Sequence, residues 1–151
     1  WLRLMSLLAV VTLRSYGGVI MSFPWRAGAW AWIAALCVVG GKLLGGFASD
    51  RFGEVRSATV TLSAAAAALI FSAFPLPGAL GLLLFNMSMP VTLYAARDIL
   101  REGRATAFGL LTLGLFLGML PAFSGASGSG QEYAMICLIS IMLIRVGVGK
   151  R

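Results

Sequence analysis

The sequence contains no histidine and few charged residues of any kind. Of its 151 residues, 11% are charged and five are acidic, whereas a soluble domain carries about 25% charged residues. Its two cysteines, Cys37 and Cys137, lie far apart in apolar segments, which favours buried thiols over a metal site or a disulfide. No metal and no cofactor are therefore expected. The lack of histidine and of acidic residues within the apolar segments argues against a membrane enzyme.

Apolar residues make up 60% of the chain. A chain of this length cannot hide that much apolar surface in one water-soluble core, so lipid is the solvent that remains. The net charge of +7 does not indicate a nucleic-acid partner, because the basic residues stand in short groups between long apolar runs. We expect an integral membrane protein whose surroundings are the lipid bilayer.

Six apolar runs have the length of a membrane-spanning helix, which is about 20 residues for a hydrocarbon core of about 30 Å. The runs are too long for barrel strands and show no period-2 alternation. They predict an all-α membrane protein: a single six-helix transmembrane domain over residues 1–151, with spans at 4–23, 28–49, 57–74, 79–96, 105–123 and 133–148.

Charge orients the predicted spans. If six spans alternate in direction, nine basic residues share one face with both termini: Arg3, Arg51, Arg56, Arg97, Arg101, Arg104, Arg145, Lys150 and Arg151. Only Arg26 lies at the other face, where Trp25, Trp30, Trp32 and Tyr133 would be interfacial aromatics. This asymmetry predicts a multi-pass protein of the plasma or inner membrane with cytoplasmic termini.

The most specific pattern lies between the second and third spans. It begins at Gly46, which would let a neighbouring helix approach, continues with Asp50 and Arg51, and ends at Gly53, which permits a tight reversal. This Gly-x-x-x-Asp-Arg-x-Gly pattern resembles the signature loop of the major facilitator superfamily. Glu54 stands where that family usually has a basic residue, a departure typical of a degenerate copy in the second half of a twelve-span member.

The resemblance implies a particular build. Members have two six-span halves that rock around a central cavity, and this chain would supply one half, by its degenerate loop the C-terminal one. The chain starts with Trp1 rather than methionine, so we expect an upstream segment. The second half would lie in that segment or in a homodimer partner.

Two arginines near the end of the fourth span, Arg97 and Arg101, are candidate partners for Asp50. Together with Gly46, Arg51 and Gly53 they would form a latch that closes the cytoplasmic side. The alternative is a solvated basic loop whose exposed ion pairs stabilise the fold by less than about 1 kcal/mol each.

Two cations lie inside the spans. Arg14 falls near the middle of the first, where a charge needs a partner or a cavity. By the resemblance it is the leading substrate contact, with Tyr16 beside it; a structural arginine bound to helix carbonyls is the alternative. Lys42 would line the cavity or extend to the interface. Asn86 in span four would contact substrate or a neighbouring helix.

No acidic residue falls inside any span, so the two cations favour an anionic substrate group such as carboxylate, phosphate or phosphonate. The expected function is secondary active transport of a small organic anion by alternating access. A non-transporting assembly or scaffold protein with the same fold is the alternative. A kink at Pro90 and helix packing at Gly41–Gly45 and Gly114–Gly118 are also expected.

Overall fold

The chain folds as a bundle of helices. The computed structural model describes residues 2–99, 104–125 and 128–148. Within these ranges every regular element is helical and no strand occurs, which confirms the predicted all-α class. The elements are α1 (Leu2–Ile20), α2 (Ala29–Phe52), α3 (Glu54–Ile70), α4 (Pro75–Asn86), α5 (Met89–Ile99), α6 (Arg104–Met119), a 3₁₀-helix (Leu120–Ser124) and α7 (Gly130–Val148).

Four helical segments of the described chain are long and apolar enough to cross a membrane: α1, α2, the segment Pro75–Ile99 formed by α4 and α5, and α7. Their outer surfaces are apolar, as contact with lipid requires; Trp32 and Phe47 of α2 are 77% and 75% exposed in the isolated chain. The other two segments, α3 with 17 residues and α6 with 16, are shorter. The chain has the helices of a membrane protein, while six complete crossings stay a prediction.

Glycine and proline residues set several helix boundaries. Gly53 has φ +85° and separates α2 from α3, which confirms the tight reversal predicted there. The third helix ends at Ile70 rather than at Phe74, and the fourth begins at Pro75 rather than at Ala79. Phe74 precedes a proline and is extended, whereas proline fits the first turn of a helix.

One end of the bundle collects the junctions that follow α1 and α3 and precede α7. The Trp25 indole N–H donates to the carbonyl of Ser72 at 2.9 Å. The Gly128 amide donates to the carbonyl of Ile20 at 3.0 Å. Tyr133 lies at the predicted end but is buried within the bundle, 1% exposed, rather than facing its surroundings as an interfacial aromatic would; its hydroxyl is 2.7 Å from the Gly128 oxygen and 2.9 Å from the Ile20 oxygen. A buried tyrosine hydroxyl needs a hydrogen-bond partner, and these two carbonyls supply it.

The opposite end holds the α2–α3 junction and both described ends of the chain. Gly147 of α7 packs against the side chain of Leu7 and near the main chain of Arg3. Val148 lines a surface depression together with Gly53. Successive helical segments therefore run back and forth along the length of the bundle.

The two halves of the described chain pack alike. Counting α4 and α5 as one fourth segment, the first segment packs against the fifth and sixth, and the fourth packs against the second and third. The third and sixth segments pack together, and the first touches the fourth. Exchanging segments one to three for segments four to six reproduces all of these contacts. The packing of α2 on α3 has no equally extensive counterpart.

Two glycine pairs allow the closest helix approaches. A Cβ atom at Gly41 or Gly45 of α2 would collide with main-chain carbonyls of the fourth segment. At Gly118 of α6 a Cβ would collide with a main-chain carbonyl of α1, and Gly114 lies against α1 side chains. Both predicted packing pairs are confirmed. When the two halves are exchanged, the contact of α2 with the fourth segment becomes the contact of α6 with α1. The glycine pair of α2 is therefore equivalent to the glycine pair of α6.

Candidate functional site

A cavity of about 190 Å³ lies between the two glycine-packed helix pairs. Its lining comes from α1, α2, the α4–α5 segment and α6, and five of the ten lining residues have polar side chains. The lining residues are Val11, Arg14, Ser15, Lys42, Asn86, Met89, Thr92, Leu93, Leu111 and Leu115. We call it the Arg14 cavity. Three of the predicted substrate-binding residues line it: Arg14, Lys42 and Asn86. Arg14 and Asn86 are 72 positions apart in the sequence, so these residues meet only through the packing of the helices.

Arg14 lies about two thirds of the way along α1. It follows Leu2 by twelve residues, about 18 Å along the helix axis. Its Nη1 donates to the hydroxyl of Ser88 at 3.1 Å, and its guanidinium carbon lies 5.5 Å from the centre of the Phe85 ring. The charge is therefore oriented by one hydrogen bond and one cation–π contact, both from the fourth segment.

The partner of Arg14 stands at a break in the fourth segment. α4 ends at Asn86, α5 begins at Met89, and the fully buried Ser88 lies between them. Pro90 has no N–H, so the carbonyl of Asn86 loses its usual helical donor and the helix is interrupted, as the predicted kink requires. Ser88 donates its own hydroxyl hydrogen to the Phe85 carbonyl at 2.9 Å, which leaves its oxygen free to accept from Arg14.

Lys42 and Asn86 face the same cavity. Lys42 is exposed and has no hydrogen bond or ion pair with any described residue. Asn86 is 9% exposed, and its amide Nδ2 donates to the carbonyl of Leu82 one turn earlier at 2.8 Å. Its side chain also packs against Gly41 of α2. Asn86 therefore both contacts a neighbouring helix and lines the cavity, while its hydrogen bond stays within its own helix.

Known proteins give no guide to this site. Comparisons with protein-family models, with curated proteins and with solved structures found no match. What the Arg14 cavity can do must be inferred from its own residues.

The electrostatics of the cavity are one-sided. None of its lining residues is acidic. The described acidic residues lie at helix ends instead: Asp50 in the last turn of α2, Glu54 at the start of α3, Asp98 in the last turn of α5 and Glu132 in the first turn of α7. No group of three or more metal-ligating side chains occurs among the described residues. The cavity therefore presents positive charge that no carboxylate in its wall neutralises.

Two predicted site residues lie elsewhere. Tyr16 does not line the cavity; it follows Arg14 by two positions, about 200° around the helix, and packs against the main buried cluster. Gly46 has no neighbouring atom within 4 Å of a Cβ position, so the close approach predicted there is not made within this chain. Gly45, about 100° away, makes it instead.

Among the residues that the structure describes, no ion pair closes the predicted latch. Asp50 and Arg51 are exposed, and Asp50 makes no ion pair with a described residue. The Arg97 guanidinium carbon lies 5.7 Å from the centre of the Tyr94 ring. Arg101 lies outside the described residues. The latch stays a prediction.

Sequence reasoning missed the residues that position Arg14. Phe85 and Ser88 were not predicted as site residues, although Pro90 signalled a helix break close to both. Nor were Leu111 and Leu115 of α6, which form part of the cavity wall. No local signal separates these two leucines from the other leucines of α6, because only the rotation of the helix about its axis decides which of them face inward.

Proposed function

We propose that this chain is one six-helix half of a secondary transporter of the major facilitator type, and that it moves a small organic anion by alternating access. The observation that carries the proposal is the Arg14 cavity, in which Arg14 and Lys42 face a common space without an acidic residue in the wall. Positive charge within an apolar bundle is costly, and it is retained where a ligand supplies the opposite charge.

The packing of the helices supports the proposed family. Each half of a transporter of this type is built from two three-helix repeats of opposite direction. Here the contacts between the two halves are reproduced when α1, α2 and α3 are exchanged for the fourth segment, α6 and α7. The back-and-forth course of the segments agrees with such a repeat, since three crossings bring the second repeat in from the other side.

The broken fourth segment also supports transport. Interrupted helices at mid-depth are tolerated where they line a cavity, and in transporters they build substrate sites. α5 starts at the cavity with Met89, so the positive end of its dipole adds to the field of Arg14 and Lys42. Three sources of positive potential thus converge on one space.

Charge neutralisation would couple binding to the conformational change. An empty cavity with two cations resists closure, because closure transfers both from water to a medium of low dielectric constant. A bound anion pairs with the Arg14 fork and the Lys42 ammonium and removes most of that cost. The second six-helix half then closes over a site of lower net charge, and the loaded form crosses between inward-open and outward-open states.

Uptake of labelled organic anions into liposomes that contain the full native chain tests the proposal. Arg14→Ala should lower the initial uptake rate about 10- to 100-fold, as the loss of a hydrogen bond to a charged group predicts. Arg14→Lys should recover part of it, since lysine keeps the charge but not the planar fork. Arg26→Ala, which removes an exposed arginine from the α1–α2 connection, is the matched control and should leave uptake unchanged.

The scaffold alternative gives a different result. If the folded protein transports no anion and Arg14→Ala lowers only its thermal stability, Arg14 is a structural residue held by Ser88 and Phe85, and the transport proposal is wrong. Measuring thermal unfolding alongside uptake separates the two outcomes for every variant.

A further inference from the structure

The lining of the Arg14 cavity is of two kinds. Arg14, Lys42 and Asn86 supply charged and amide groups, whereas Val11, Leu93, Leu111 and Leu115 supply an apolar surface, which we call the apolar wall. The hydroxyl of Thr92, which also lines the cavity, donates to the carbonyl of Met89 at 2.9 Å, so its hydrogen is already used. Ser15 also borders this wall, but its hydroxyl donates to the carbonyl of Leu115 at 2.6 Å and so its hydrogen is already used.

The apolar wall is continuous with the protein interior. Val11 and Leu111 are each 7% exposed and belong to a buried cluster with Leu7, Ala95 and Ala96. The close contact between α6 and α1 at Gly114 and Gly118 holds the α6 part of the wall, Leu111 and Leu115, at a fixed distance from the helix that carries both Val11 and Arg14. The wall is therefore a preformed apolar surface.

We propose that the substrate is an organic anion with its charge at one end and a short aliphatic tail at the other, an inference that rests on the proposed transport function. The oxyanion head, a carboxylate, phosphate or phosphonate, binds between Arg14 and Lys42, and the tail lies along Val11, Leu111 and Leu115. A volume of about 190 Å³ corresponds to about six water-sized groups, enough for a head and a tail of three or four carbons.

This arrangement discriminates against anions with charge at both ends. The second carboxylate of a dicarboxylate would meet the apolar wall, where no donor remains to replace its water. Inorganic phosphate would satisfy the cations but leave the wall hydrated. For alkyl monoanions, each added methylene that reaches the wall should raise affinity about fourfold until the cavity is full.

Binding of defined anions to the purified full chain tests the inference. The probes are straight-chain carboxylates from acetate to octanoate, the matching alkyl phosphonates, succinate and inorganic phosphate. Affinity should rise from acetate to an optimum near pentanoate, and succinate should bind at least about tenfold more weakly than butyrate, as an unpaired buried charge requires. Leu115→Ala should move the optimum toward longer chains. Leu113→Ala, which removes an exposed leucine of the same helix that does not line the cavity, should not.

The outcomes separate this inference from the transport proposal. If binding depends on Arg14 but succinate or inorganic phosphate is preferred, or Leu115→Ala leaves the chain-length profile unchanged, the one-ended substrate is wrong and an anion site remains. If no anion binds in an Arg14-dependent manner, the proposed function fails as well. Arg14-dependent binding with the expected profile supports both.

Discussion

Arg14 and Lys42 share one cavity but hold their charges in different ways. Arg14 is fixed by Ser88 and by the Phe85 ring, both on the broken fourth segment. Lys42 has no described partner, and its ammonium is carried on a flexible four-carbon stem. Arg14 is thus held in place by contacts within the protein, whereas in the proposed site Lys42 could move toward a ligand without breaking a contact with a described residue.

This contrast predicts that Lys42→Gln lowers anion affinity without lowering stability. The expected loss is about fivefold, the effect of one partly exposed charge pair of about 1 kcal/mol. The thermal midpoint should stay the same, because no interaction within the protein is removed. Calorimetric titration with butyrate and thermal unfolding in detergent measure the two quantities, with Arg26→Gln as the exposed control. Lower stability with unchanged affinity would instead assign Lys42 a structural role.

The helices α2 and α6 act as equivalent elements, because each brings two glycines against a neighbouring main chain. Gly41 and Gly45 approach the fourth segment, and Gly114 and Gly118 approach α1. These contacts place the two helix pairs on either side of the Arg14 cavity. The width of the cavity therefore depends on these four glycines, which have no side chains to hold the helices apart.

Adjacent glycines of α2 provide a matched test of this packing. Gly45→Ala should destabilise the protein by about 1–3 kcal/mol, because its Cβ collides with the main chain at Met87. Gly46→Ala meets no atom within 4 Å and should be neutral or stabilising by up to about 1 kcal/mol through better helix propensity. Thermal unfolding in detergent compares them, and equal effects would contradict the packing. A loss of transport without loss of stability in Gly46→Ala would place Gly46 against the second half.

The course of the whole chain decides how many times it crosses the bilayer. The connection after α3 lies beside the connection after α1, joined by the Trp25–Ser72 hydrogen bond. With six crossings both connections lie on the same side of the membrane, which the charge distribution predicts to be the external side. If only the four longest helices crossed, the connection after α3 would lie on the side of the α2–α3 junction.

Cysteine labelling distinguishes these topologies. In a chain with Cys37→Ala and Cys137→Ala, a single cysteine replaces Ala27, Arg56 or Ala73, all of which are exposed. A membrane-impermeant maleimide applied to intact cells should label Ala27→Cys and Ala73→Cys, whereas Arg56→Cys should need permeabilised cells. Labelling of Ala73→Cys only after permeabilisation would contradict six crossings.

The positions of the helices could be predicted from sequence because they depend on local properties. Apolar runs form helices wherever the backbone cannot bond to water, and the reversal at Gly53 and the break near Pro90 follow from residue types alone. The sequence also shows that no acidic residue lies within the predicted spans. It therefore predicts that any cavity enclosed by these spans is cationic. Gly41 and Gly45 were recognised as a packing pair from their spacing.

The tertiary structure decided which side chains meet. The bond from Arg14 to Ser88 joins residues 74 positions apart, and its existence depends on how far α1 and the fourth segment are rotated about their axes. The same rotation turns Tyr16 away from the cavity and selects Gly45 rather than Gly46 for close packing. The sequence of an apolar helix does not indicate which of its faces packs against a given neighbour. The sequence by itself therefore determined an all-helical membrane chain with two internal cations, and only packing placed those cations in one cavity beside an apolar wall.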